Sequence, residues 1–263
     1  MGWGAVLGRL VGGIKAILGV LGNQCRCCER MIAVEGECLL WCSECFSFFE
    51  DAKTRCACCG LTLEEHTLSE RSVLCGECLK KPPNWDRLYC VGDYGGALKS
   101  DLYKLKYKHD YHIAREYGQL MVRRIGDLKS SGLPTALVVV PVPWLRYWRR
   151  GYNQSQLLAR SVREHFAVKG VNVSIVCPFG RQYRWRGHTR LNRKQRLRHS
   201  QSEFYIKSTQ IELLRQHSHV AIVDDVVTTG ATIQQLSSLL LENGVSRIDI
   251  YCVGRTAKPA KSR

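Results

Sequence analysis

Residues 220–232 read VAIVDDVVTTGAT. Val220, Ile222 and Val223 have the composition of a buried strand. Asp224 and Asp225 close that strand, and a Thr/Gly turn leads into ATIQQLSSLLLEN, a helical pattern. A strand passing through a tight loop into a helix belongs in an open, mostly parallel sheet, where ligands bind beyond the carboxyl ends of the strands. The loop's chemistry indicates an anion. Backbone N–H groups around Val227, Thr228, Thr229, Gly230, Ala231 and Thr232 would form the cradle. Gly230 permits close backbone approach, and the three threonine hydroxyls donate. Adjacent carboxylates suit the vicinal hydroxyls of a ribose, or a hydrated Mg2+. A solvated turn or a helix-capping pair is the plain alternative for two aspartates. The apolar strand before them and TTGAT after them favour a sugar phosphate.

The surrounding region repeats the strand–helix alternation. Strands are expected at 136–143, 171–176, 219–225 and 246–253, and amphipathic helices at 153–166 and 231–243. Residues 86–128 read as mainly helical, with Lys99, Lys104, Lys106 and Lys108 outward. The expected fold is α/β: a mostly parallel sheet flanked by helices over 86–256, preceded by a small cysteine-rich module over 23–80. KKPPNW at 80–85 reads as the linker between them.

That module holds eleven of the chain's 14 cysteines. Four C-x-x-C units occur: Cys25/Cys28, Cys42/Cys45, Cys56/Cys59 and Cys75/Cys78, separated by 13, 10 and 15 residues. A two-residue gap lets both sulfurs of a knuckle reach one tetrahedral metal at about 2.3 Å. Four knuckles therefore predict two structural Zn2+ sites, a use of thiols that goes with a reducing, cytoplasmic setting. Disulfide or redox pairs are the alternative. Consecutive pairing of the knuckles and a cross-brace are both compatible with the spacing. Cys27, Cys38 and Cys58 are spare, and Cys90, Cys177 and Cys252 read as small core residues.

The first 22 residues are apolar and glycine-rich, but Arg9 and Lys15 interrupt them. They are short and charged for a membrane span and lack a signal-peptide pattern. An amphipathic leader helix is expected, with contact to a membrane surface as the lesser alternative.

Net charge is +16, which favours polyanionic partners. It is concentrated at 165–202, which contain no acidic residue. Arg184, Arg186 and Arg190 crowd the middle of that segment with Tyr183 and Trp185 between. Arginines neutralise phosphates while aromatic rings stack on unpaired bases. A solvated basic face is the alternative.

VAIVDDVVTTGAT resembles the PRPP-binding signature of type I phosphoribosyltransferases. That resemblance implies Asp224 and Asp225 at the ribose hydroxyls, residues 227–232 around the 5-phosphate, and Mg2+ bound with PRPP. It also places a pyrophosphate loop after the 136–143 strand, where Arg146, Arg149 and Arg150 follow. Together with the cysteine pairs, KPPNWDRL and YWRRGYNQS, the chain from Cys25 to Thr256 resembles the ComF/GntX family of competence and DNA utilization proteins. The family implies cytoplasmic handling of incoming single-stranded DNA, with a DNA-uptake helicase or other competence proteins as partners. Two rival readings stand beside it: an active phosphoribosyltransferase with an unidentified acceptor, and a non-catalytic nucleotide sensor. The residues name no general acid or base.

Overall fold

The computed structural model describes residues 24–32, 41–50, 54–63, 74–126, 132–181 and 203–257. It divides into two compact units, Met1–Ala52 and Lys53–Arg263. In the first, one C-x-x-C hairpin, bridged at Gln24 and Met31, is followed by helix α1 (Ser43–Glu50). In the second, a like hairpin, bridged at Arg55 and Thr62, and the short helix α2 (Gly76–Lys80) precede a five-stranded sheet.

That sheet has the order β1-β7-β6-β2-β3, and every pairing is parallel. Its strands are β1 (Arg87–Asp93), β2 (Ala136–Val139), β3 (Ser174–Val176), β6 (His219–Val227) and β7 (Arg247–Arg255). The central pair, β6 and β7, is buried along nearly its whole length, which is why HVAIVDDVV and RIDIYCVGR read as apolar runs without strict alternation. The expected strands and helices are present, with the strands at 136–143 and 171–176 shortened to β2 and β3, and further elements join them. Residues 87–93, expected within a mainly helical stretch, form an edge strand in register with β7. Its seven residues are too few for a periodicity to declare itself, and pairing with β7 decides the conformation.

Side chains of alternate strand residues build two layers. On one face, Leu88, Cys90, Val220, Ile222, Ile248, Ile250 and Cys252 pack against Ile233, Leu236 and Leu240 of α8 (Ala231–Glu242). Those three α8 residues are spaced i, i+3, i+7, one stripe of the helix. Cys90 and Cys252 stand opposite each other in the register and are buried, as small core residues do. On the other face lie α4 (His112–Ile125) and α6 (Gln154–Val168), which pack on each other and on the strands. They meet at Gly118, where a Cβ would stand 2.1 Å from Ser161 Oγ, so only glycine allows this approach.

Three elements border the carboxyl edge of the sheet. Helix α3 (Gly96–Tyr107) follows β1, and α5 (Trp144–Arg150) follows β2. An antiparallel ribbon of β4 (Phe179–Arg181) and β5 (Phe204–Ile206) anchors Phe179 and Phe204 in the core. Arg181 and Glu203 pair across its open end. A short helix, α7 (Ile211–Arg215), leads from the ribbon into β6. No described helix is long and apolar enough to cross a membrane.

Candidate functional site

β6 delivers the two aspartates to the carboxyl edge. Consecutive strand residues turn to opposite faces, and each aspartate finds a different neighbour. Asp224 Oδ1 accepts from Ser155 Oγ at 3.0 Å, at the start of α6, and from the backbone N–H of Asp225 at 2.9 Å. Asp225 is buried and ion-paired with Lys106 of α3. Part of Asp224's surface reaches solvent, yet its carboxyl is held well above the ordinary carboxylate range. Burial is the first cause and the neighbouring Asp225 charge the second, outweighing the two hydrogen bonds it accepts.

The turn that follows has the expected shape. Gly230 has φ +80°, a left-handed conformation, and stands immediately before α8. Thr228, Thr229, Ala231 and Thr232 are exposed, and Thr229 Oγ1 accepts from Ala231 N–H at 3.3 Å. Asp224 and the stretch from Val226 to Ile233 line a hollow of about 40 Å³, roughly the volume one water occupies in the liquid. The sequence-expected loop residues and Asp224 are therefore together in one concavity.

Across the edge, Asn153 caps α6 by accepting from Ser155 N–H and donates to Val140 O at 2.9 Å, tying the segment after β2 to the helix start. Arg146 and Arg149 are exposed. Arg150 is buried, with its guanidinium donating to Gln154 Oε1 and to the Tyr107 hydroxyl, both at 3.1 Å. Arg184, Arg186 and Arg190 lie outside the described residues, as do Cys38 and residues 1–22.

The eight knuckle cysteines assemble as two consecutive sets, Cys25/Cys28/Cys42/Cys45 and Cys56/Cys59/Cys75/Cys78, which settles the pairing against a cross-brace. In each set the four sulfurs lie within 4.8 Å of one another. Cys28–Cys42 and Cys59–Cys75 sulfurs are 3.6 Å apart, close to the edge of about 3.8 Å that a tetrahedron of 2.3 Å Zn–S bonds requires. Cys56 is pulled down to about 4, first by the Cys59 thiol donating to it, against the effect of burial. Cys59 is pushed up by the same bond and by burial. Both sets fit a structural, four-coordinate Zn2+, with Cys27 and Cys58 spare.

Two residues that the sequence did not single out join the second set to the phosphate-type loop. Arg255, at the end of β7 and buried, donates from Nε to Cys59 O at 2.8 Å. Its Nη1 donates to Val227 O at 3.1 Å, to Thr256 O at 2.9 Å and to Thr228 O. Trp85 donates from its indole N–H to Cys58 O at 2.6 Å. Its ring lies 3.3 Å from where a Cβ on Gly230 would stand. Asn84, beside it, bonds Gln234 and Ser238 of α8. The one available signal was Trp85 itself, a large apolar ring in a Pro-rich stretch read as linker. Arg255 gave none, since a cation ending a strand looks like any surface cation.

No family model matches the chain. DNA utilization protein YhgH of Escherichia coli K12 is 33% identical over 218 residues, covering 82% of this chain and 90% of that protein. Its Salmonella typhi counterpart is 34% identical over 220 residues, with the same coverage. Competence protein F of Haemophilus influenzae is 32% identical over 203 residues, 76% of this chain and 84% of the relative. Among solved structures, the allosteric regulatory enzyme of purine biosynthesis is 14% identical with a TM-score of 0.35, covering 53% of this chain and 25% of the other. A hypoxanthine-guanine phosphoribosyltransferase from Schistosoma mansoni is 11% identical with a TM-score of 0.30, over 56% and 66%. Scores that low decide nothing by themselves. The sequence relatives do: sharing a third of its aligned residues with a protein that it covers almost from end to end, the chain belongs to the family of DNA utilization protein YhgH and Competence protein F.

Proposed function

We propose that this protein serves DNA uptake or the use of external DNA, handling incoming single-stranded DNA in the cytoplasm, and that its sheet carries a PRPP-binding site. Support for the first half is the naming of the relatives and the +16 charge. Support for the second is one observation: two aspartates near the carboxyl end of a central parallel strand that stops at Val227, then a turn with a left-handed Gly230 and a hollow lined by Asp224 and Val226–Ile233. In this reading Asp224 and Asp225 take the ribose hydroxyls, and residues 227–232 hold the 5-phosphate through backbone N–H groups and threonine hydroxyls. Arg146 and Arg149 face the pyrophosphate or a strand phosphate, and Arg184, Arg186 and Arg190 are further candidates to bind such a phosphate. Mg2+, bound with PRPP, would offset the charge gathered at the two carboxylates. The two Zn2+ sites are structural. DNA-uptake helicases and other competence proteins are the partners this role calls for.

Calorimetry with PRPP and Mg2+ tests the site. A saturable heat that Asp225→Asn abolishes, with the zinc content unchanged, is expected. No heat with the wild-type protein refutes the phosphoribosyl half. Parallel titration with a single-stranded oligonucleotide tests the DNA half, and assay of pyrophosphate release with added bases decides whether the bound sugar reacts.

A further inference from the structure

Helix α3 buries Leu98, Leu102 and Leu105 and turns Lys99, Tyr103, Lys106 and Tyr107 the other way. These four recur at i, i+4, i+7 and i+8, which places them along one face. With Tyr94, from the end of β1, and Arg149 of α5, they line an open cleft of about 510 Å³. Every lining residue is a tyrosine or a cation, and none is acidic. Tyr103 and Tyr107 are 56% and 43% exposed, their ring centroids 4.9 Å apart. The Arg149 and Arg150 guanidinium groups stand 5.8 and 4.9 Å from the Tyr107 ring centroid, and Arg150 also bonds its hydroxyl. Tyr107 is therefore held in place from beneath with one side of the cleft left open. On α5, Trp144, Tyr147 and Trp148 are also exposed, Trp148 at 80%. Exposed rings beside cations are the groups that stack on unpaired bases and pair with a strand's phosphates.

The cleft adjoins the aspartates. Lys106, one of its walls, is the residue ion-paired with Asp225. We propose that the Tyr94–Tyr103–Tyr107 cleft is a stacking subsite for unpaired bases of single-stranded DNA, with Lys99 and Arg149 taking the strand's phosphates. The rings supply π-faces for any base, and the cations track the backbone. Duplex DNA would not fit, because its bases are stacked on each other. This inference rests on the reading that the protein handles single strands, and it locates that contact beside the ribose carboxylates rather than in the arginine-rich segment at 182–202.

Anisotropy of labelled oligo(dT) on the full chain tests it. Tyr103 is exposed, so Tyr103→Ala leaves the fold intact, and it should lower affinity about tenfold, the loss of one stacked base. Tyr103→Phe should retain the affinity, and a duplex of equal length should compete poorly. Photocrosslinking with bromouracil-substituted oligonucleotide should mark Tyr103 or Tyr107. Unchanged affinity in Tyr103→Ala, with crosslinks elsewhere, overturns the assignment while leaving single-strand binding standing. A wild-type protein that binds no oligonucleotide overturns both. Equal competition by thymidine monophosphate would make the occupant a free nucleotide and refute the strand. Preference for anionic vesicles over oligo(dT) would make it a membrane. PRPP calorimetry on the wild type reports the phosphoribosyl reading separately.

Discussion

The two cysteine sets have the same local architecture and different surroundings. In both, the first cysteine of a knuckle donates its N–H to the carbonyl of the residue five positions on: Cys25 N–H to Arg30 O at 2.7 Å and Cys56 N–H to Leu61 O at 2.9 Å. In both, the residue four on returns a bond to that cysteine's carbonyl and has positive φ, +61° at Glu29 and +71° at Gly60. There the likeness ends. Glu29 carries a side chain into solvent, whereas a Cβ on Gly60 would stand 2.3 Å from Leu88 Cδ2. The first set is flanked by an exposed Arg30–Glu44 pair, an arrangement worth little to stability. The second is bonded to the sheet by Leu88 N–H to Ala57 O, by Trp85 and by Arg255. One repeated motif thus does two jobs. The second set is part of the platform under the phosphate-type loop, and its carbonyls act as acceptors for residues that shape that loop.

The contrast can be broken most directly at the metal. Cys78→Ser should lower the stability of the Lys53–Arg263 unit by on the order of 5 kcal/mol, seen as a fall in its thermal midpoint, and raise amide exchange across 226–232. Cys28→Ser should remove one zinc by atomic absorption and leave that exchange unchanged. Equal loss of protection from both substitutions would show that the two sets are not functionally distinct.

Arg255 carries the next largest effect. Arg255→Met removes the donor shared by Cys59, Val227, Thr228 and Thr256, at about 1–3 kcal/mol. PRPP affinity should fall on the order of tenfold or more, with two zincs retained. Unaltered affinity would place the loop's support elsewhere.

The positive-φ pair makes the third test. Gly60→Ala meets both the left-handed backbone and a buried leucine, and should cost about 2–3 kcal/mol by denaturant melting. Glu29→Gly should relieve strain and stabilise its own unit by about 1 kcal/mol. A loss at Gly60→Ala no larger than the gain at Glu29→Gly would contradict the difference in packing.

The smallest effect concerns what the platform supports. Asp224 has a raised pKa in the fold, so its protonated form is the stabilised one. Its contribution is complete below the ordinary carboxylate pKa and is lost as pH rises through the folded value. Asp224→Asn should therefore flatten the pH dependence of stability across that window and raise the thermal midpoint above it by a few degrees, about 1 kcal/mol. A midpoint that instead falls at high pH would show that the ionised carboxylate is the stabilising form.

Much of this was legible in the chain. VAIVDDVVTTGAT declares its strand, turn and helix because each has its own local chemistry: a buried apolar run, a glycine with positive φ and an i, i+3, i+7 stripe. Four C-x-x-C units declare metal sites because a knuckle's ligand geometry is local. The edge strand at 87–93 was not legible, since seven residues of mixed character become a strand only by pairing with β7. Nor could sequence order foresee that Arg255 would bond Cys59, 196 residues away, or that Asp225 would meet Lys106.

What the sequence determined alone is therefore what short range fixes: the α/β alternation, the strand, turn and helix at 219–242 and the thiol pairs. The tertiary structure decided which knuckles share a set, which set underlies the loop, and which side chain meets each aspartate. The reason is that hydrogen bonds and ion pairs depend on distances between strands and helices, and only packing against a common sheet sets those distances.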